Sequence, residues 1–322
     1  MHQEFRTSSG GFIDRSKEIS FIFNGKKYYG YRGDTLASAL LANGIHLIGR
    51  SFKYHRPRGI FAAGVEDANG KVQLYKDNIT EPNVNVTEVE LVEGLRIESQ
   101  NCWPSVDFDV GGINNFFSRF FPAGFYYKTF MWPKSFWYHV YEPFIRKAAG
   151  MGKAPLDPDP DRYEHQYEHC DILVVGSGPS GIASALSAAK NGARVILAED
   201  KSRFGGSLLT DNVTIGNKNG DEWVEDSIAE LESMPNVTVR KRSQVFGYYD
   251  HNMLVMFERC KDHLKNPAPY TPRQRLWYIR AKHVIISTGS IERPLIFANN
   301  DRPGIMLLSL IHISEPTRLA RI

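Results

Sequence analysis

The sequence predicts two architectures in one chain of 322 residues: an α+β domain of the β-grasp type, followed by an α/β domain of the Rossmann type. Three observations carry this prediction. A hairpin pattern followed by a helix pattern opens the chain, prolines break it near residue 155, and an apolar run beyond them leads directly into G-x-G-x-x-G. Composition permits both cores, since 42% of residues are hydrophobic and 23% charged. The 39 Lys and Arg nearly cancel the 36 Asp and Glu, so bulk charge points to no nucleic-acid partner. Cys102, Cys170 and Cys260 lie too far apart for a metal motif or a disulfide framework, which predicts a reducing, cytoplasmic setting. The first residues have no apolar secretion segment, and no run reaches the ~18 apolar residues of a membrane span. No membrane association is expected.

The first domain is expected over residues 11–102. Glu18 to Phe23 alternates in part between polar and apolar, Asn24-Gly25 is a strong short-hairpin signal, and Lys26 to Tyr31 supplies the return strand. Asp34 or Thr35 can accept from the free N–H groups of a helix running from Leu36 to Asn43, and Gly44 suits the left-handed position that closes it. Strand-like runs at Lys71 to Tyr75 and Val84 to Val86 complete a small α+β unit. Residues 103–160 form a connecting segment and linker. Trp103, Phe108, Phe116, Phe117, Phe120, Phe121, Phe125, Tyr126, Tyr127, Phe130, Trp132, Phe136, Trp137 and Tyr138 crowd it, an aromatic density that demands burial either over the chain's own domains or in a subunit interface. The run Pro155-Leu-Asp-Pro-Asp-Pro160 disfavours helix and marks a boundary.

The second domain is expected over residues 165–307. Cys170 to Val175 is a near-continuous apolar run of the kind a buried parallel strand needs. Gly176, Ser177, Gly178, Pro179, Ser180 and Gly181 follow it, then a helical stretch from Ile182 to Asn191, then a second strand from Gly192 that ends at Glu199. The fingerprint thus sits between strand and helix, with an acid 23 residues after its first glycine. Gly176 permits the tight turn, Gly178 lets the backbone approach a pyrophosphate, and Gly181 allows close helix–strand packing, while the helix N-terminus offers free N–H groups. Glu199 is expected to accept from the adenosine ribose and to repel a 2′-phosphate, with Asp200, Lys201 and Arg203 beside it. NAD or FAD is therefore expected in preference to NADP. Phe204, Gly205, Gly206 and Ser207 after the acid, and a strand ending in Ser287, Thr288 and Gly289, return the chain toward the same place. Between them Asp221 to Met234 reads as a helix and Val237 to Arg240 as a strand. Val245 to Tyr249, Met253 to Glu258 and Leu276 to Arg280 read as an antiparallel excursion.

Other signals are weaker. The basic stretch Arg50 to Arg58, interleaved with Phe52 and Tyr54, reads as a solvated or interdomain loop. His165 and His169 are four apart, a spacing that puts two imidazoles on one helix face, but nothing nearby completes a metal site. Cys170 opens a buried strand and reads as a small core residue.

Several long blocks then carry a family likeness. Asp34 to Gly44 (DTLASALLANG), Gly49 to Gly59 (GRSFKYHRPRG), Pro122 to Trp132 (PAGFYYKTFMW) and Glu292 to Met306 (ERPLIFANNDRPGIM) resemble the alpha subunits of heterotetrameric sarcosine oxidases. The second domain likewise resembles flavoproteins with two dinucleotide-binding domains, in which the positions of Gly205, Gly206, Thr288 and Gly289 flank FAD or NAD. The resemblance implies a complex with beta, gamma and delta subunits that oxidises the small amine sarcosine. It implies NAD in this chain, and FAD, FMN and tetrahydrofolate elsewhere in the complex, with no catalytic residue between Met1 and Leu307. An active flavin-dependent amine or opine dehydrogenase subunit, with its own FAD at Gly176 to Gly181, is the alternative. The first domain resembles the ferredoxin-like module of related dehydrogenase subunits, whose two-iron, two-sulfur cluster needs four thiolates. Met1 to Asn101 contains no cysteine, so the module is expected to be a cluster-free scaffold.

The last stretch, Leu308 to Arg318, resembles an in-frame translation of a transposon-end sequencing adapter. Residues 308–322 are therefore set aside, and the natural chain is expected to continue beyond Leu307.

Overall fold

The computed structural model describes residues 3–76, 79–120, 124, 130–211 and 213–313. The chain divides into two compact units, Met1–Asp159 with Glu292–Ile322, and Pro160–Ile291.

In the first unit, β1 (Asp14–Phe23) and β2 (Lys26–Arg32) form an antiparallel hairpin. Asn24 and Gly25 both have positive φ, 49° and 77°, as the tight turn between twisted strands requires. Helix α1 (Leu36–Ala42) follows, with Thr35 as its cap accepting from the Ser38 N–H at 3.1 Å. Gly44 closes it at φ 74°. Strands β3 (Lys71–Lys76), β4 (Ile79–Asn85) and β5 (Arg96–Ser99) complete one sheet in the order β2-β1-β5-β3-β4. β5 lies parallel to β1, which is the β-grasp arrangement. Phe21, Leu36, Leu40, Ile48, Ile60 and Ile97 are fully enclosed between α1 and the sheet.

Residues 292–307, placed by sequence in the second domain, group with the first unit instead. Ionic and main-chain bonds hold them there. Arg56 grips Asp301 with two bonds of 2.8 and 2.7 Å, Arg58 adds a third, and the Leu307 N–H donates to the Phe61 carbonyl. The segment set aside by sequence is not wholly apart either. Leu308–Ile313 is a short helix, α5, and its Leu310 is buried in the first unit's core, where an apolar side chain leaves water. Residues 314–322 lie outside the described residues.

In the connecting segment Phe116 and Trp132 are each 83% exposed and Trp103 is 71% exposed. Phe121, Phe125, Tyr126 and Tyr127 lie outside the described residues. Helix α2 (Glu142–Ala149) ends the segment.

The second unit is a six-stranded sheet. Its strands are β6 (Tyr163–Val175), β7 (Val195–Ala198), β8 (Val237–Arg240), β9 (Ser243–Tyr249), β10 (Met253–Arg259) and β11 (Gln274–Ile286). The order is β8-β7-β6-β11-β10-β9, with β8, β7, β6 and β11 mutually parallel and β9 and β10 antiparallel. Helices α3 (Pro179–Lys190) and α4 (Gly220–Ser233) share a core with β7 through Ile182, Ala185, Leu197, Ile228 and Leu231. A second core on other side chains of the sheet holds Leu173, Ile196, Leu254, Met256 and Ile279. Cys170 lies in it, as expected of a small apolar residue, and its thiol is pushed up to about 12, chiefly by burial.

Two readings are corrected. The stretch before Cys170, where His165 and His169 stand at helical spacing, is the first half of a 13-residue strand, paired residue for residue with β11 from Tyr163↔Gln274 onward. His165 and His169 thus share a strand face, not a helix face, and His165 lies against the Tyr278 ring. Leu276 to Arg280 and His283 to Ile286 are likewise one strand. Cross-strand pairing overrides the polar composition that suggested separate pieces.

Candidate functional site

Three loops converge where the parallel strands end. The first is residues 176–178, between β6 and α3. The Cβ that a side chain would add at Gly176 falls 2.4 Å from the Ser287 carbonyl oxygen and 3.2 Å from the Thr288 Cα, and its φ is 95°. A Cβ at Gly181 would fall 2.0 Å from the Gly176 carbonyl oxygen. Both glycines are therefore required by the chain's own packing. Gly178 differs: nothing lies within 4 Å of its Cβ position, and its backbone, at φ −66° and ψ 178°, suits any residue. It caps α3 with no side-chain bond of its own, and Pro179 follows in the first turn, so the helix presents uncapped N–H groups at Ser180 and Gly181.

The second loop is residues 204–207. The Gly205 N–H donates to the Ser177 carbonyl at 3.0 Å, and a Cβ at Gly206 would fall 2.8 Å from the Gly178 Cα. Gly206 sits at φ 55° and begins a short turn through Ser207 to Leu209. The third is residues 287–289, tied to β6 by the Ser287 N–H on the Val175 carbonyl at 2.7 Å. Thr288 and Gly289 are exposed there.

Glu199 lies at the end of β7 and is buried. Its Oε2 accepts from the Ser177 N–H at 2.9 Å and from the Ser177 hydroxyl, and its Oε1 accepts from the Lys201 N–H at 3.1 Å. Burial pushes its carboxyl up to about 7, reinforced by the neighbouring Asp200 side chain and opposed by Ser177 and Lys201. Main-chain bonds to Arg240 and Ser243 lock its backbone. Gly176, Ser177 and Gly178 lie in the first loop, Pro179, Ser180 and Gly181 in the first turn of α3, Gly206 and Ser207 in the second loop, Thr288 and Gly289 in the third, and Glu199, Asp200 and Lys201 follow β7. Two contributions carry no local signal. Ser177 holds the acid, although the motif leaves its position free, and Arg259, from the end of β10, donates to the Asp200 carbonyl at 2.8 Å.

The arrangement suits a dinucleotide. An open approach at Gly178, free N–H donors at a helix start and a buried acid at the end of the next strand are what a pyrophosphate and a ribose demand. A two-iron, two-sulfur cluster does not fit the first unit, because four thiolates are needed and residues 16–102 contain Cys102 alone.

Comparison with known proteins agrees in outline. Residues 16–102 match the model of a 2Fe-2S iron-sulfur cluster binding domain, and residues 171–249 match the FAD dependent oxidoreductase model. The fold is therefore a ferredoxin-like β-grasp domain followed by a Rossmann-type flavoprotein domain, the former without the thiolates its family is described by. The chain is 51% identical over 94% of its length to the sarcosine oxidase subunit alpha of Rhizobium meliloti (strain 1021), covering 31% of that protein. It is 34% identical over 93% of its length to the subunit of the same name from Corynebacterium sp. (strain P-1), covering 26% of it. The chain thus spans about a third or less of these relatives. The crystal structure of L-proline dehydrogenase from P. horikoshii superposes with a TM-score of 0.56, at 21% identity, over 90% of this chain and 44% of that one, a likeness of fold alone. Among the described residues no helix is long and apolar enough to cross a membrane.

Proposed function

From its homology to sarcosine oxidase alpha subunits along 94% of its length, we propose that this chain is the N-terminal part of such a subunit, and that its second unit binds NAD within a multi-subunit complex. The complex converts sarcosine, O2 and water to glycine, formaldehyde and hydrogen peroxide, or delivers the one-carbon unit to tetrahydrofolate. The beta, gamma and delta subunits, with FAD and FMN, and a folate-binding portion outside this chain, supply that chemistry. Three free thiols fit a reducing cytoplasm.

The observation that carries the reading is Gly178, whose missing side chain leaves space that the protein itself does not use. In this reading the N–H groups of Ser180 and Gly181 hold the pyrophosphate, Glu199 accepts from the adenosine ribose, and Gly206, Ser207, Thr288 and Gly289 border the bound group. A dinucleotide can supply hydride-transfer chemistry when bound, and we assign the residues of this site a binding role. A buried carboxylate opposes a 2′-phosphate, which favours NAD over NADP. A second reading, FAD in the same site, is favoured by the family match over residues 171–249.

Denaturing the purified complex and separating the released nucleotides tests both. NAD released in one equivalent beyond the flavins, and lost from the complex on Gly178→Glu, is the expected result. A further equivalent of FAD, lost with the same substitution, would replace the first reading by the second. Wild-type nucleotide content in the variant would overturn both.

A further inference from the structure

We propose that Ser177 is a positioning residue that holds Glu199 in its ionised form in the nucleotide site. The inference rests on the reading of residues 176–181 as a dinucleotide loop, but its first test does not need the ligand.

The motif leaves position 177 free, and neither the turn nor the approach of a phosphate requires a hydroxyl there. Yet the serine is fully buried and spends both its donors on one oxygen, Glu199 Oε2. Two donors on one acceptor favour a full negative charge on that acceptor. The charge is contested, because Glu199 is buried and the Asp200 side chain hydrogen-bonds to it. Lys201 contributes its N–H to Glu199 Oε1, and Arg259 from the end of β10 reaches the Asp200 carbonyl. Arg242, in the turn before β9, donates its N–H to the Lys201 carbonyl. The serine places a main-chain and a side-chain donor on Glu199 Oε2, and both favour the ionised form of that carboxyl. Ser177 thus opposes the burial that raises the Glu199 carboxyl and enlarges its ionised fraction near neutral pH.

The sign follows from linkage. The Glu199 carboxyl titrates higher in the folded chain than in the unfolded one, so stability falls as pH rises from the ordinary carboxylate range through about 7. Removing the serine raises the folded value further and extends that fall to higher pH.

The test is a set of thermal melts of the full chain between about pH 5.5 and 9, for the wild type, Ser177→Ala, Ser177→Thr, Glu199→Gln and the Ser177→Ala/Glu199→Gln double variant. Ser177→Ala should track the wild type with a constant offset below about pH 6.5 and fall progressively behind above about pH 7. Ser177→Thr should restore the wild-type profile, and in the Glu199→Gln background the effect of Ser177→Ala should lose its pH dependence. A constant offset at every pH, or a pH-dependent one that survives Glu199→Gln, overturns the proposal. Titration with NAD at pH 6 and pH 8 is the second arm: affinity should rise with pH, and its midpoint should move up by about one pH unit in Ser177→Ala. An unmoved midpoint overturns the proposal. If the melts behave as expected while no dinucleotide binds at either pH, Ser177 retains its hold on Glu199 and the reading of the site as a nucleotide site fails.

Discussion

Gly178→Ala separates a glycine kept for a ligand from glycines kept for the fold. The new methyl group would have no protein atom within 4 Å, and the backbone there needs no glycine. The stability change should stay within about 0.5 kcal/mol, the scale for an N-cap glycine replaced by alanine. A methyl carbon about 1.5 Å from the Cα nevertheless occupies the path by which a pyrophosphate would reach the α3 N–H groups. Losing one or two hydrogen bonds to a charged group costs about 2–4 kcal/mol, equivalent to an affinity about thirty- to a thousandfold weaker. Gly181→Ala is the control. Its methyl would lie 2.0 Å from the Gly176 carbonyl oxygen, so α3 must shift, and stability should fall by about 1–3 kcal/mol whether or not ligand is present. Calorimetric titration with NAD and with FAD, beside thermal melts of the ligand-free variants, measures both quantities. Wild-type affinity in Gly178→Ala would refute the reasoning, since the space above that glycine would then be unrelated to the ligand. A loss of affinity matched by an equal loss of stability would refute it as well.

Glu199→Ala should weaken dinucleotide binding at pH 8 by about 1–3 kcal/mol, seen in the same titration; no change would assign the ribose to another partner. Asp67 is buried, and its carboxylate accepts the N–H groups of Phe61, Ala62, Asn69 and Gly70. Asp67→Asn turns two of those bonds donor against donor, so denaturant unfolding should register a loss of about 2–5 kcal/mol, and a loss under about 0.5 kcal/mol would contradict that role. Asp301 is held down to about 2, first by the Arg56 hydrogen bonds and then by Arg58 beside it. Because its folded value is depressed, its contribution is present above about pH 4 and is lost as pH falls toward 2, so Arg56→Ala should flatten acid unfolding of the first unit over that window. Iron analysis of the purified chain should find less than about 0.1 equivalent, since a cluster needs four thiolates and residues 16–102 hold one.

What could be read along the chain was whatever physics makes local. The Asn24-Gly25 turn, the Thr35 cap and the glycine spacing from 176 to 181 each fix conformation within a few residues, so sequence alone located the hairpin, α1 and the strand-to-helix turn that starts the candidate site. The long blocks that resemble sarcosine oxidase alpha subunits reached further, because 51% identity over 94% of a chain constrains its whole fold. Pairings between distant residues were not legible. The polar stretch from Tyr163 to His169 became strand only because β11 supplies its partners, more than a hundred residues later. Asp301 left the second domain because Arg56 and Arg58 bind it from the first unit. The charge of Glu199 depends on its burial, on Ser177 before it and on Asp200 beside it, all set by how the strands stack. Sequence by itself determined the two domain types and the strand-to-helix turn of the candidate site. Tertiary structure decided which side chains hold the acid, because burial and hydrogen-bond partners are properties of the packed chain and not of the order of its residues.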